Sequence, residues 1–221
     1  MTRLAPAPKL VERETSGDIG IPAFGGGKPP FQPGSVSEPL VSNARLGLLM
    51  FLGAEAMFFA GLIGAFLVFR LNSPVWPPLS QPRLPVAVTG INTAFLLLSA
   101  VTMHLALMAI RAGRQTALAR HLLVTALLGG VFLGIQGYEW VRLVHFGLTM
   151  WSGIYGATFY TLIGCHGLHV FGAVIWLSVV LLMARQGHFT ARRHAGVELC
   201  AMYWNFVVGL WPVLYALVYL L

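Results

Sequence analysis

From about residue 46 onward the chain alternates long apolar runs with short charged connections. Five runs, at about 46–70, 86–110, 121–141, 151–184 and 198–220, are each long enough to cross a bilayer. A helix needs roughly 20 residues to cross about 30 Å of hydrocarbon. In lipid every backbone polar group must be satisfied within its own segment, so the runs are predicted to be helices rather than open strands. The first holds one acid, Glu55, and closes on Arg70; the second holds no charge, His104 being its only ionisable residue. The fourth is free of charge throughout, and its length lets it tilt or project beyond the bilayer. The expected fold class is all-α: a polytopic membrane bundle of five transmembrane helices over residues 43–221.

Residues 1–42 follow no such pattern. They hold seven of the thirteen prolines and the run Gly25-Gly26-Gly27-Lys28-Pro29-Pro30, with no apolar stretch long enough for a signal-peptide core. A disordered or extended cytoplasmic arm is expected there. The connection from Asn72 to Pro85 carries five prolines and Trp76, which predicts a rigid extended turn capping the helices.

Composition narrows the classes further. The chain of 221 residues is 57% hydrophobic and 10% charged, against about a quarter charged in soluble domains. That excludes a soluble enzyme, a nucleic-acid binder and a disordered chain. The net charge of +7 reads as topology. Eleven of the fourteen basic residues fall on one side: Arg3, Lys9, Arg13, Lys28 and Arg45, then Arg111, Arg114 and Arg120, then Arg185, Arg192 and Arg193. Only Arg70, Arg83 and Arg142 fall on the other. The positive-inside rule predicts a cytoplasmic N-terminus and an external C-terminus. Cys165 and Cys200 lie in apolar runs without a CxxC pattern and read as small buried hydrophobes. Gly130, Gly134 and Gly137, and the glycines at 153, 156, 164, 167 and 172, predict close helix packing.

Few residues could carry chemistry. Glu55 lies about nine residues into the first run, roughly 14 Å deep at 1.5 Å per residue. An acid at that depth is either proton-linked or partner-facing, or else a protonated packing residue. Glu139 with Arg142 three residues on is expected to form an interfacial ion pair on a helix surface. Glu198 opens the fifth run, where a carboxylate suits the positive end of a helix. His166 and His169 share a helical face at i, i+3, the spacing of a metal site. No carboxylate or third ligand lies near them in sequence, so metal or haem ligation is not expected. Phosphate loops and nucleophile–base constellations are absent from the sequence. This profile suits an accessory subunit better than a self-sufficient enzyme.

Five motifs are more specific. They are Ile154-Tyr155-Gly156-Ala157-Thr158-Phe159 running on to Gly164-Cys165-His166-Gly167-Leu168-His169-Val170; Gly53-Ala54-Glu55-Ala56-Met57-Phe58-Phe59; Trp76-Pro77-Pro78 with Asn92-Thr93; Gln136-Gly137-Tyr138-Glu139; and Met202-Tyr203-Trp204-Asn205-Phe206. In this order, over about residue 43 to the end, they resemble subunit III of haem-copper oxidases in its short five-helix bacterial form. The resemblance implies a non-catalytic subunit packed on the catalytic subunit I, which reduces O₂ to water and pumps protons. It implies support of proton uptake, protection of subunit I from inactivation, and bound structural phospholipids. No haem or copper is implied for this chain; those belong to partner subunits. Subunit II, a small subunit IV and a respiratory supercomplex are further partners it allows, in the bacterial inner membrane.

By the same resemblance Glu55 is the family's mid-membrane glutamate. His166, His169, Glu139, Gln136, Trp204 and Asn205 are structural or lipid-associated motif residues. The family's last helix usually carries a histidine and, three residues on, an aspartate; here Asn205 and Val208 stand in those places. A cytochrome c oxidase is the leading reading. A quinol oxidase, a nitric oxide reductase accessory subunit, an independent transporter and a self-contained membrane haem protein are its rivals.

Overall fold

The computed structural model describes residues 42–78 and 84–220. The expectations placed on the arm before Ser42 and on Arg83 lie outside those residues. Five helices follow one another: α1 (Asn43–Leu71), α2 (Val86–Arg111), α3 (Gln115–His145), α4 (Ile154–Arg185) and α5 (Ala195–Tyr215), with a π-helical turn over Ala216–Leu220. No strand occurs among the described residues. All five helices are long and apolar enough to cross a membrane. Each overlaps one apolar run, and most extend past it into polar sequence. α3, for instance, begins at Gln115 and takes in Arg120 before the apolar stretch, because backbone hydrogen bonding continues into the headgroup layer.

α2, α3 and α4 end alike, on a glycine in the left-handed region: Gly113 (φ 72°), Gly147 (φ 89°) and Gly187 (φ 74°). The amide that follows each bonds back across the last turn, Arg114 to Ala109, Leu148 to Leu143 and His188 to Met183, at 2.9 to 3.1 Å. Such closures satisfy carbonyls that would otherwise be orphaned. Pro212, the one proline inside a span, does not stop α5, which runs on to Tyr215 before widening into the π turn.

The core lies where α2, α3, α4 and α5 meet, around Leu96, Met103, Leu122, Phe132, Phe159 and Trp204. α1 leans on this bundle and fully buries only Phe59 and Phe66. Two indoles staple α5 to α2: Trp211 Nε1 donates to Thr93 Oγ1 (2.8 Å) and Trp204 Nε1 to Ser99 Oγ (3.1 Å). Asn92 Nδ2 donates to the Phe132 carbonyl and ties α2 to α3. Trp211→Phe removes the donor and leaves part of the indole's buried space unfilled, so it is expected to cost about 1–3 kcal/mol, checked by thermal unfolding in detergent.

The glycines do not divide as expected. A Cβ on Gly130, Gly134 or Gly137 would meet nothing within 4 Å, and the same holds for Gly153, Gly164 and Gly172. Two of the expected glycines, Gly156 and Gly167, are closely packed, and so is Gly129, outside the predicted set, where a Cβ would stand 2.5 Å from Trp204 Cη2. The reason is helical phase. Gly129 shares the inward face of α3 with Thr125, Phe132 and Gln136, all buried, whereas Gly130 and Gly134 turn outward.

One end of the bundle is charged. Glu198 accepts from Arg111 (2.8 Å) and Arg45 (3.4 Å) and lies 3.4 Å from His194 Nε2. At the opposite end Arg70 donates to the Leu217 carbonyl (3.2 Å). There Trp76 packs edge-on against Phe66 and Tyr155 at 5.7 and 5.1 Å. The described start of the connection thus packs on the helix ends through Trp76, while residues 79–83 of the expected rigid turn lie outside the described residues.

Candidate functional site

Glu55 is the thirteenth of the 29 residues of α1, and His169 the sixteenth of the 32 of α4. Both sit at the middle of their spans. They meet there: Glu55 Oε2 lies 2.8 Å from His169 Nε2, with side chains 18% and 21% exposed. Phe59 stands edge-on to the His169 ring at 5.1 Å and shields the pair on one side. The carboxyl that the sequence presents alone is therefore one half of a pair.

The other imidazole nitrogen settles the protonation pattern. His169 Nδ1 lies 2.6 Å from the Cys165 carbonyl. A carbonyl only accepts, so Nδ1 carries hydrogen. One further proton then occupies the Nε2–Oε2 bond, as a carboxylic acid beside a neutral imidazole or as a carboxylate beside an imidazolium. Either way the pair is neutral overall, which reduces the cost of burying an isolated charge in hydrocarbon. It can hold one proton and shift it between two atoms. A carboxylic C=O stretch or its carboxylate counterpart, assigned by its loss in Glu55→Gln, is the expected infrared signature of that proton.

The two histidines diverge despite their shared i, i+3 spacing. Both ring nitrogens of His169 are engaged, so it cannot ligate a metal without breaking a bond. His166 is buried, 1% exposed, and stacks on Trp211 at 5.0 Å and 26°. Its nitrogens bond to no protein atom among the described residues. Nor do any three His, Cys, Asp or Glu side chains among those residues gather where they could hold a metal ion.

The remaining motif residues scatter. Gln136 Nε2 donates to Tyr219 OH (3.3 Å) inside the bundle. Glu139 does pair with Arg142, at 3.2 Å, but it is not on the surface: its side chain is 6% exposed against 47% for Arg142. It shares the inward stripe of α3 with Phe132, Gln136 and Leu143. Trp204 is buried and Asn205 exposed, so this dipeptide splits between core and surface; Val208 is buried. Two turns along from the pair, Leu62, Phe66 and Phe69 of α1 and Ala157, Thr161 and Leu162 of α4 line an open apolar groove of about 240 Å³.

Matching residues by depth is the signal that finds the pair: Glu55 and His169 are each mid-span. Thr93 and Ser99, which receive the two indoles, have no comparable mark, because a hydroxyl in an apolar run can also bond its own helix.

These features define a five-helix, multi-pass integral membrane protein built around one mid-membrane carboxyl–imidazole pair. The family model for cytochrome c oxidase subunit III matches residues 32–221. A cytochrome c oxidase subunit 3 from Synechocystis sp. is 40% identical over 176 residues, 79% of this chain and 74% of the relative. Those of Thermostichus vulcanus and Oncorhynchus clarkii are each 37% identical, over 80% and 84% of this chain and 86% and 72% of their own lengths. The chain belongs to the cytochrome c oxidase subunit III family.

Proposed function

We propose that the chain is the non-catalytic subunit III of a bacterial respiratory cytochrome c oxidase, seated beside the haem- and copper-bearing subunit I in the inner membrane. The carrying observation is the family match over residues 32–221, spanning all five helices. The names of the relatives favour cytochrome c over quinol as the electron donor. Subunit II, a small subunit IV and a wider respiratory assembly complete the set of proposed partners.

The charge bias orients it, with the Arg45–Arg111–Glu198 end at the cytoplasm and the C-terminus outside. The groove between α1 and α4 suits a phospholipid acyl chain, being apolar and open to the bilayer. The Glu55–His169 pair faces lipid or subunit I and bears on proton uptake by that subunit. Haem and copper supply the redox chemistry in the partner; this chain contributes packing, lipid and a shared proton.

The test is purification from the native membrane in mild detergent. A haem-bearing large subunit should co-purify, with a reduced-minus-oxidised haem spectrum and an electron-entry subunit carrying dinuclear copper. Recovery of this chain alone would sink the assignment. Within that complex Glu55→Ala is expected to leave haem content intact while changing pumping or the lifetime in turnover. Wild-type values of both would remove any role for Glu55.

A further inference from the structure

Three polar side chains, Thr89, Asn92 and Thr93, are buried within about one turn of α2. Thr93 has its bonds: its hydroxyl donates to the Thr89 carbonyl and accepts from Trp211. Asn92 has half of them. Its Nδ2 donates to the Phe132 carbonyl at 3.0 Å, and since a carbonyl only accepts, the amide nitrogen is the atom facing α3. Oδ1 is then an acceptor on a side chain 1% exposed, bonded to no protein atom among the described residues. Thr89 Oγ1, equally buried, stands in the same position.

The π turn after α5 brings Tyr219 to this place. One turn along α3 from Phe132, Gln136 Nε2 donates to the Tyr219 hydroxyl at 3.3 Å. That bond uses the oxygen as acceptor and leaves the hydroxyl hydrogen to donate elsewhere. Thr89 Oγ1 faces the same hydroxyl without the geometry of a hydrogen bond. Asn92, Phe132, Gln136, Tyr219 and Thr89 thus close a ring between α2, α3 and the π turn. Aromatic rings wall it in. Tyr215 stacks on Tyr219 at 5.5 Å and donates to the Val86 carbonyl, and Trp211 packs on both Phe132 and Tyr219.

Buried oxygens and hydroxyls without partners cost the bundle their full desolvation. One small molecule that both donates and accepts satisfies all three groups. A water accepting from the Tyr219 hydroxyl and donating to Asn92 Oδ1 and Thr89 Oγ1 makes three bonds, the usual number for a buried water.

We propose that the core between α2, α3 and the π turn is a binding site for one structural water, held by Thr89, Asn92 and Tyr219. The water fixes the π turn on the bundle. Leu217 of that turn gives its carbonyl to Arg70, so the same site steadies the seat of α1. The site belongs to this chain's own core and depends on neither its partners nor Glu55.

The experiment determines the structure of the chain, in whatever assembly it purifies with, at a resolution that shows ordered water. One peak is expected within about 2.6–3.2 Å of Asn92 Oδ1, Thr89 Oγ1 and the Tyr219 hydroxyl. A direct bond from Tyr219 to Thr89 or Asn92 overturns the proposal, as does the lack of a peak where these side chains are themselves resolved. In parallel, unfolding of the full chain in detergent compares Asn92→Leu, Tyr219→Phe and the double variant. Asn92 and Tyr219 do not bond each other, yet a shared water should couple them by about tenfold in the unfolding equilibrium. Independent effects of the two changes would equally overturn it.

Discussion

His169→Leu is expected to destabilise the bundle by about 1–3 kcal/mol, the usual cost of leaving a buried hydrogen-bonding group without its partner. Glu55 would keep its place at mid-span on α1, with no imidazole 2.8 Å away to share its proton. Glu55→Leu should cost less than that. Leucine buries well in this setting, and His169 keeps its bond from Nδ1 to the Cys165 carbonyl. The double variant should be more stable than the sum of the singles predicts, with a coupling of about 1–2 kcal/mol for residues in direct contact. Chemical or thermal unfolding of the four proteins in one detergent measures it. Strict additivity would mean that the pair contributes nothing as a pair. The effect should fall on the docking of α1 above all, because that helix otherwise buries only Phe59 and Phe66.

Gly129→Leu is expected to be the most damaging single change in the core. Even a Cβ there would stand 2.5 Å from Trp204 Cη2 and 3.1 Å from Val174 Cγ2. The indole cannot simply withdraw, since its Nε1 is bonded to Ser99 on α2. Three helices would have to separate, at a cost of about 3 kcal/mol or more by overpacking. Gly129→Leu/Trp204→Ala should recover part of the loss by opening room for the added side chain. Gly130→Leu, one residue away on the outer face, should be close to neutral. Equal effects at 129 and 130 would contradict the packing described here.

The adjacent glycines show how far a single chain can be read. Number, length and order of the helices were legible, because a bilayer imposes one period of apolar length on any sequence that crosses it. Helical phase was harder to read. With lipid on the outside, apolar residues cover every face of a span, and no amphipathic stripe marks the inside. That is why Gly130 and Gly134 invited a packing role that belongs to Gly129. Glu139, expected on the surface, is inside for the same reason. Its ion pair with Arg142 was readable from i, i+3 spacing, which is local, while the depth of burial was not.

The site divides the same way. Glu55 stood out at once, as the single acid in the middle of an apolar run, and the motifs around it carried the family. Its partner is 114 residues away, on a helix reached only after two intervening spans. His166 and His169 looked equivalent and proved different: one stacks on an indole, the other closes a hydrogen-bonded chain from α4 to α1. The amino-acid sequence by itself determined a five-span membrane protein, its charge bias and its kinship, because those follow from apolar length, from basic residues in loops and from local motifs. Only the tertiary structure decided that Glu55 shares a hydrogen bond with His169 and that Gly129 admits Trp204. Each depends on the rotation of one helix against another, which a chain clothed in apolar side chains on every face does not reveal until it packs.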